Sequence, residues 1–414
     1  MIKKILLLSV VASQLMISCS SEDSQSETNE GTLAEQIAAI VKQPYSTLKP
    51  ADQKIKLEAE ANDMLVQLDK TKSSSAIEAI ENLNRLLDIS TVDLFNGKND
   101  NNVEDLLNIS GVYGIYTWNN TGKKWDKTAS TTELKFVFPA KETQTANNAI
   151  FSAKSVSSDV KVEFYDGYNG TTEIYDNIFL PASSDATLTI DNTQTASFTQ
   201  TAKYSSKNQS PDEFAYKMTL NDGYTWEMSG KKGTENVSKA ILTYNGKNLI
   251  DFNSGSTANI DGLIDNDELV QYRGKANGLF KLMDNFVIVA DMDLATAAAD
   301  DAALQKTLVH PWDYSSPTYN ADMSIYYKKS TEGEAANFNK NMKLILVSKK
   351  DGTKIADIIQ HSEKEEGSTT IQYYNTVTYL KFSDNTEVEM GAYFSEGFSN
   401  FETKFEDFIK AFEK

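Results

Sequence analysis

The sequence predicts an α+β fold: N-terminal helices, a long antiparallel β-meander, a helical crossover and a closing amphipathic helix. Three observations predict it. Apolar residues recur at helical spacing up to about residue 90, and at every second residue from about residue 110. Helical spacing then returns in the last twenty or so residues. With 40% hydrophobic and 10% aromatic residues, the 414-residue chain can bury a sizeable core.

Taken in order, residues 1–18 read as a secretory signal peptide. Lys3 and Lys4 precede an apolar run, residues 5–12, that is too short to span a bilayer. Residues 19–32 are polar and acidic, cannot bury enough surface to fold, and read as a flexible tether. Residues 33–103 form a helical N-terminal region. Leu33, Ile37, Ile40 and Val41 keep helical spacing until Pro44, and Ile55, Leu57, Met64, Leu65 and Leu68 follow Pro50. Ser75 and Glu78 make a capping-box pattern ahead of Ile77, Ile80, Leu83, Leu86 and Leu87.

Residues 104–414 form the antiparallel β-rich domain. Leu134, Phe136 and Phe138 alternate with other residues, as do Val160, Val162 and Phe164. Ala186, Leu188 and Ile190 run into the turn Asp191-Asn192, and Ala196 and Phe198 continue beyond it. Ala240, Leu242 and Tyr244 lead to Asn245-Gly246, the strongest short hairpin signal in the chain. Inserted helices are expected within 262–310: one around 268–275 and one over 294–308, with a strand at 286–290 between them. The segment 311–340 reads as irregular and polar. Strands resume at 343–347 and 355–359 and on either side of Ser383-Asp384-Asn385. The closing helix, 398–413, carries Phe398, Phe401, Phe405, Phe408 and Phe412 on one face.

Composition excludes several functions. One cysteine forbids an internal disulfide, and one Cys with two distant His argues against a zinc site. Forty Lys plus Arg against 59 Asp plus Glu, a net charge of −19, argues against nucleic acid as a partner.

The run Leu15-Met16-Ile17-Ser18-Cys19 resembles a bacterial lipobox, although Met16 stands where Leu is commoner. The acidic residues just behind Cys19 resemble the export signal of surface lipoproteins of Bacteroidota. The resemblance implies that Cys19 is lipidated, that the lipid bilayer is a partner, and that the protein sits on the cell-surface side of the outer membrane. The periplasmic leaflet is the alternative. Acyl chains contribute about 0.8 kcal/mol per buried CH₂, so more than one is needed for stable anchoring. The order of elements over 104–414 is also similar to that of periplasmic lipoprotein carriers, which implies a curved, open half-barrel. No residue motif accompanies that likeness, and it carries little about function.

Two constellations could carry chemistry. Residues 257–268 match the frame of a calcium loop of the EF-hand kind, with Asn259, Asp261, Leu263, Asp265 and Glu268 at ligand positions and Gly262 at the sharp turn. Thr257 replaces the usual first Asp, so affinity would be weak, about 10⁻⁴ to 10⁻³ M. The plainer reading is an acidic turn before a helix. The second constellation is aromatic: Trp118, Trp125, Tyr224 and Trp226 would serve as sugar-stacking rings if exposed, and so would Trp312. Each ring taken singly reads as core, and a cluster of exposed rings would change that.

There is no nucleophile elbow, phosphate loop or dinucleotide fingerprint. His310 lies in the turn-like run His310-Pro311-Trp312-Asp313 and reads as structural. The expectation is a lipid-anchored envelope protein that binds a glycan or an envelope protein without chemistry, and with no cofactor beyond weak calcium. The alternatives are a carrier of a hydrophobic ligand in a half-barrel cavity and a glycoside-active enzyme with paired carboxylates.

Overall fold

A single 16-stranded sheet runs through the molecule, with helices on both of its faces. The computed structural model describes residues 32–68, 70, 74–90, 92, 110–205, 209–265, 273–283, 285–367 and 370–394. The signal, Cys19, most of the tether and the phenylalanine stripe at 398–413 lie outside the described residues. So does the boundary at 103/104.

Three helices come first: α1 (Leu33–Val41), α2 (Pro50–Leu68) and α3 (Ser75–Ile89). A capping box does occur, but at α1, where the Thr32 hydroxyl accepts from Glu35 N–H and the Glu35 carboxylate accepts from Thr32 N–H. The box expected at Ser75 is displaced by one residue. Ser74 caps α3, its hydroxyl accepting from Ile77 N–H at 3.3 Å, and Glu78 turns out to pair with Lys141.

Strands β1 (Gly114–Asn119), β2 (Lys124–Thr128) and β3 (Leu134–Phe138) begin the sheet. The order is β3-β1-β2, so β3 lies parallel to β1, the only parallel strand pairing among those described. From β3 onward the sheet follows chain order, each strand antiparallel to the last: β4 (Ala149–Asn169), β5 (Thr172–Ile190), β6 (Thr193–Lys203), β7 (Glu213–Leu220), β8 (Tyr224–Lys231), β9 (Asn236–Tyr244) and β10 (Lys247–Ser256). The two hairpin turns have the expected chemistry. Asp191 and Asn192 take φ of 47° and 64°, and Asn245 and Gly246 take 49° and 74°, as a twist-matched two-residue turn requires.

After the short helix α4 (Ile260–Asp265) come β11 (Lys275–Leu282) and β12 (Phe286–Asp293). Of the helix expected around 268–275, residues 268–272 lie outside the described residues, Arg273 and Gly274 are not helical, and Lys275 begins β11; the helix described in this region is α4, just before it. Helix α5 (Leu294–Thr307) falls where expected. The segment read as irregular, 311–340, holds instead the 23-residue helix α6 (Tyr319–Asn341). Its row Met323, Tyr327, Thr331 and Ala335 faces the sheet, but only two of the four are plain hydrophobes, and no clean apolar stripe announces it. Polar contacts hold it. Asn339 clamps the backbone of Gln360 through both its carbonyl and its amide, and Asn337, Lys340 and Asn341 reach Asp301 and Asp300 of α5. Strands β13 (Met342–Ser348), β14 (Thr353–Lys364), β15 (Tyr374–Lys381) and β16 (Glu387–Glu389) and the turn-like helix α7 (Met390–Tyr393) complete the described chain.

One face carries most of the core. Helix α3 buries Ile77, Ile80, Leu83, Leu86 and Leu87 against Phe136, Phe138, Phe151, Leu188 and Phe198. Leu57 of α2 continues this layer over Phe286, Leu346, Ile358 and Leu380. The opposite face is covered locally by α1, whose Ile37 meets Leu279, Val287, Val289, Ile345 and Val347. Alternation along β12 and β13 sends neighbouring residues to these two covers, so both strands are apolar on both faces. The sheet stays open, with β2 and β16 as its edges.

Candidate ligand-binding surface

Helix α5 ends at Thr307, and Pro311 keeps the chain from resuming a helix at once. The loop 308–318 is fixed by its own polar groups. Asp313 accepts from Ser315 N–H at 3.0 Å and from the Ser315 hydroxyl at 2.6 Å, and Thr318 donates to Asp322 at 2.8 Å. These bonds from Ser315 hold the Asp313 carboxyl below the usual carboxylate range.

Three large side chains of this loop turn outward. Trp312 is 73% exposed, Tyr314 70% and the neighbouring Val309 84%. Trp312 lies 4.2 Å from His310, centroid to centroid, and His310 lies 4.9 Å from Tyr326 on α6. The contacts continue from Tyr326 to Tyr327 at 5.7 Å, and from Tyr327 to Tyr373 at 4.9 Å. Tyr314 pairs separately with Tyr319 at 5.0 Å. Tyr373 comes from the connection between β14 and β15, which docks on α6 where Gln372 N–H donates to the Ser324 hydroxyl at 2.8 Å. Three separate stretches of chain thus supply one continuous series of rings. Burial raises the Tyr327 phenol, and its neighbours Tyr373, Tyr319 and Tyr326 add to this, so it stays protonated at neutral pH. Of these residues the sequence pointed to Trp312 and, as structural, His310. The tyrosines have no shared motif, because α6 and the sheet bring them together.

The other four candidate rings face inward. Trp118 and Tyr224 are 3% and 1% exposed, and Trp125 and Trp226 are half-buried against the same core. Trp118 sits opposite Trp125 across the β1–β2 pair, edge to face at 5.2 Å, and Trp226 sits between Met218 and Leu242. The Tyr224 hydroxyl donates to the Gln67 carbonyl. Trp118 and Tyr224 are core rings, and Trp125 and Trp226 pack on the same core and are not among the exposed large side chains.

The described part of the calcium frame is engaged in other contacts. Asn259 caps α4, its side-chain oxygen accepting from Gly262 N–H at 3.1 Å. Position 263 would ligate through its backbone carbonyl, and in a helix carbonyls run along the axis while the Asp261 side chain projects outward, so the two do not converge on an ion. Asp261 is taken up by Lys232, whose ammonium lies 2.6 Å from it and 3.6 Å from Asp212. The side chain of Asp265, and Glu268 altogether, lie outside the described residues. Among the described residues no group of three or more His, Cys, Asp or Glu could hold a metal ion.

Lys232, Asp212 and Asp261 line an open polar cleft of about 570 Å³ with Thr234, Asn236 and Asn259. The two carboxylates share one ammonium, and no aromatic residue lines the cleft. A cavity beside β3, β4 and β5 and the chain just before β1, lined by Val112, Leu134, Ala153 and Ser184, holds about 10 Å³, no more than one water needs. His361 pairs with Glu387 at 2.7 Å on the sheet, away from both. No helix among the described residues is long and apolar enough to cross a membrane.

No known family, curated protein or solved structure matches the chain. The reading of function therefore rests on the surface itself.

Proposed function

We propose that this protein is a lipid-anchored lipoprotein of the outer membrane, displayed at the cell surface, that binds a glycan without chemistry of its own. The lipobox-like Cys19 and the acidic tether support the address. The observation that carries the binding role is the ring series of loop 308–318 and α6, with Trp312 and Tyr314 among the most exposed large side chains of the described chain. Exposed rings joined through half-buried ones, set among hydroxyl and amide side chains, suit the C–H face and the hydroxyl rim of a sugar. A carrier would need an apolar cavity of roughly 300 Å³ or more, and nothing here favours one.

The test pairs binding with folding. The full chain carrying Cys19→Ser, so that it is recovered without its anchor, is run through gels containing soluble polysaccharides. Retardation by at least one neutral glycan is expected. The Trp312→Ala/Tyr314→Ala variant should lose it while its Tm moves by no more than about 2 °C, as for other exposed positions. Retention of a purified envelope protein, with no glycan retarding the chain, would transfer the surface to a protein ligand and overturn this reading. Cys19→Ser should also shift the protein from the membrane to the soluble fraction of cells.

A further inference from the structure

We infer that the ring surface takes an extended, uncharged glycan chain, held at one end by Trp312 and Tyr314 and at the other by Tyr373, and does not select a free mono- or disaccharide. This rests on the glycan-binding reading above and specifies its ligand.

The first argument is the layout. Ring contacts run without a break from Trp312 through His310, Tyr326 and Tyr327 to Tyr373, and the two ends are the exposed ones, Trp312 at 73% and Tyr373 at 40%. Tyr314 extends the Trp312 end toward Tyr319. The middle rings are half-buried, so the exposed ring surface is spread between two ends and is not a single point.

The second is shape. A site that selects a small sugar surrounds it, burying about 70–90% of its surface among converging polar groups. None of these rings lines the polar cleft or the small cavity described above. A ligand on an open strip is touched on one side only, so each unit contributes little. Useful affinity then comes from several units of one chain engaged together, the second contact being made at the high local concentration set by the first.

The third is charge. In the segments that carry the rings, 309–332 and 364–374, Asp313, Asp322, Glu332, Glu365 and Glu366 outnumber Lys328, Lys329 and Lys364, and Lys328 lies 3.7 Å from Glu332. The Asp313 carboxyl is held ionised by Ser315. A carboxylated or sulfated glycan would be repelled, as it would by the chain as a whole at −19. Val309 and Ile325, both exposed beside the rings, suit C–H surface better than anionic groups.

Titration calorimetry of the full chain carrying Cys19→Ser, with neutral β-linked glucose, mannose, xylose and N-acetylglucosamine oligomers of one to six units, tests this. Polygalacturonate serves as the anionic comparison. For at least one neutral series, affinity should be undetectable with one or two units and rise by at least tenfold from three units to six. Trp312→Ala should weaken every length by tenfold or more, and Tyr373→Ala should remove only the gain at the longer lengths. Equal affinity for a monosaccharide and a hexamer, a preference for polygalacturonate, or wild-type affinity in Tyr373→Ala would overturn the extended neutral mode while leaving glycan binding in place. Wild-type affinity in Trp312→Ala would move the site elsewhere and overturn both. No heat with any glycan would overturn the glycan reading and this inference with it.

Discussion

Lys232 stands where a calcium loop would need an ion. Its ammonium reaches Asp261 and Asp212 and donates to the Ser210 carbonyl at 3.1 Å, and its side chain is 9% exposed. Calcium is therefore expected to give no heat and no thermal shift with the wild-type chain. Lys232→Met leaves two carboxylates facing one another without the cation between them, and should cost about 1–3 kcal/mol, read by denaturant melts. Other carboxyls report through pH. The ammonium of Lys56 lowers Asp351, Lys340 and Asn341 lower Asp300, and His361 and Lys381 lower Glu387. Each binds its proton less tightly in the folded chain than in the unfolded one. The stability they supply is complete above the ordinary carboxyl pKa of about 4 and is lost as pH falls through and below it. Tm should stay flat from pH 7 to about pH 5 and then drop, and Asp351→Asn should make that drop shallower. Each pair is at least partly exposed and screened by solvent, so the drop is a sum of small terms.

At the scale of elements, α3 and α6 are opposite cases. Helix α3 is legible: Ile77, Ile80, Leu83, Leu86 and Leu87 keep helical spacing and all become buried. Leu83→Ala, at a fully enclosed position, should cost about 2–5 kcal/mol, and Ser74→Ala about 1 kcal/mol through the lost cap. Helix α6 is not legible, because its partners are amides and carboxylates on α5 and β14, and amides in a sequence read as loop. Gly333 strengthens that impression. A Cβ there would lie 2.4 Å from the Leu304 side chain, so the glycine lets α5 and α6 approach. In an isolated helix Gly→Ala gains about 1 kcal/mol, whereas Gly333→Ala should lower Tm here because Leu304 must move. A raised Tm would show that the two helices are not tightly packed. The β-strands were read from alternation where one face is polar. They were missed at β8 and β11, where polar and small residues interrupt the pattern.

Across the whole molecule, the helices and the sheet share their cores. Met64 of α2 and all of the α3 stripe belong to the cluster built on β1 to β10, and Ile37 and Leu57 belong to those on β11 to β15. A chain lacking residues 33–92 should therefore expose the sheet, bind a hydrophobic dye and fail to give a cooperative melt. A cooperative melt would mean that the sheet folds alone. The open edges are guarded locally. Edge strand β2 is exposed and carries Lys124 and Lys127, and β16 is only three residues long. Between them, the β4–β5 ribbon outruns its neighbours: β3 pairs with β4 only as far as Ala153, while β4 and β5 pair with each other to Asn169 and Thr172.

The sequence by itself determined what depends on near neighbours along the chain: the period of the first three helices and of the clearly alternating strands, the two-residue turns at Asp191-Asn192 and Asn245-Gly246, the cap of α3 to within a residue, and the charge balance. Which aromatic residues meet solvent was decided by the tertiary structure. Trp118 and Trp312 both sit in short aromatic runs, yet one is buried in the core that α3 covers and the other stands exposed on a loop. Local patterning sets which way a side chain leaves the backbone. Whether another element then covers it depends on packing between segments far apart in the chain, and that is why the ring surface emerges only in the folded protein.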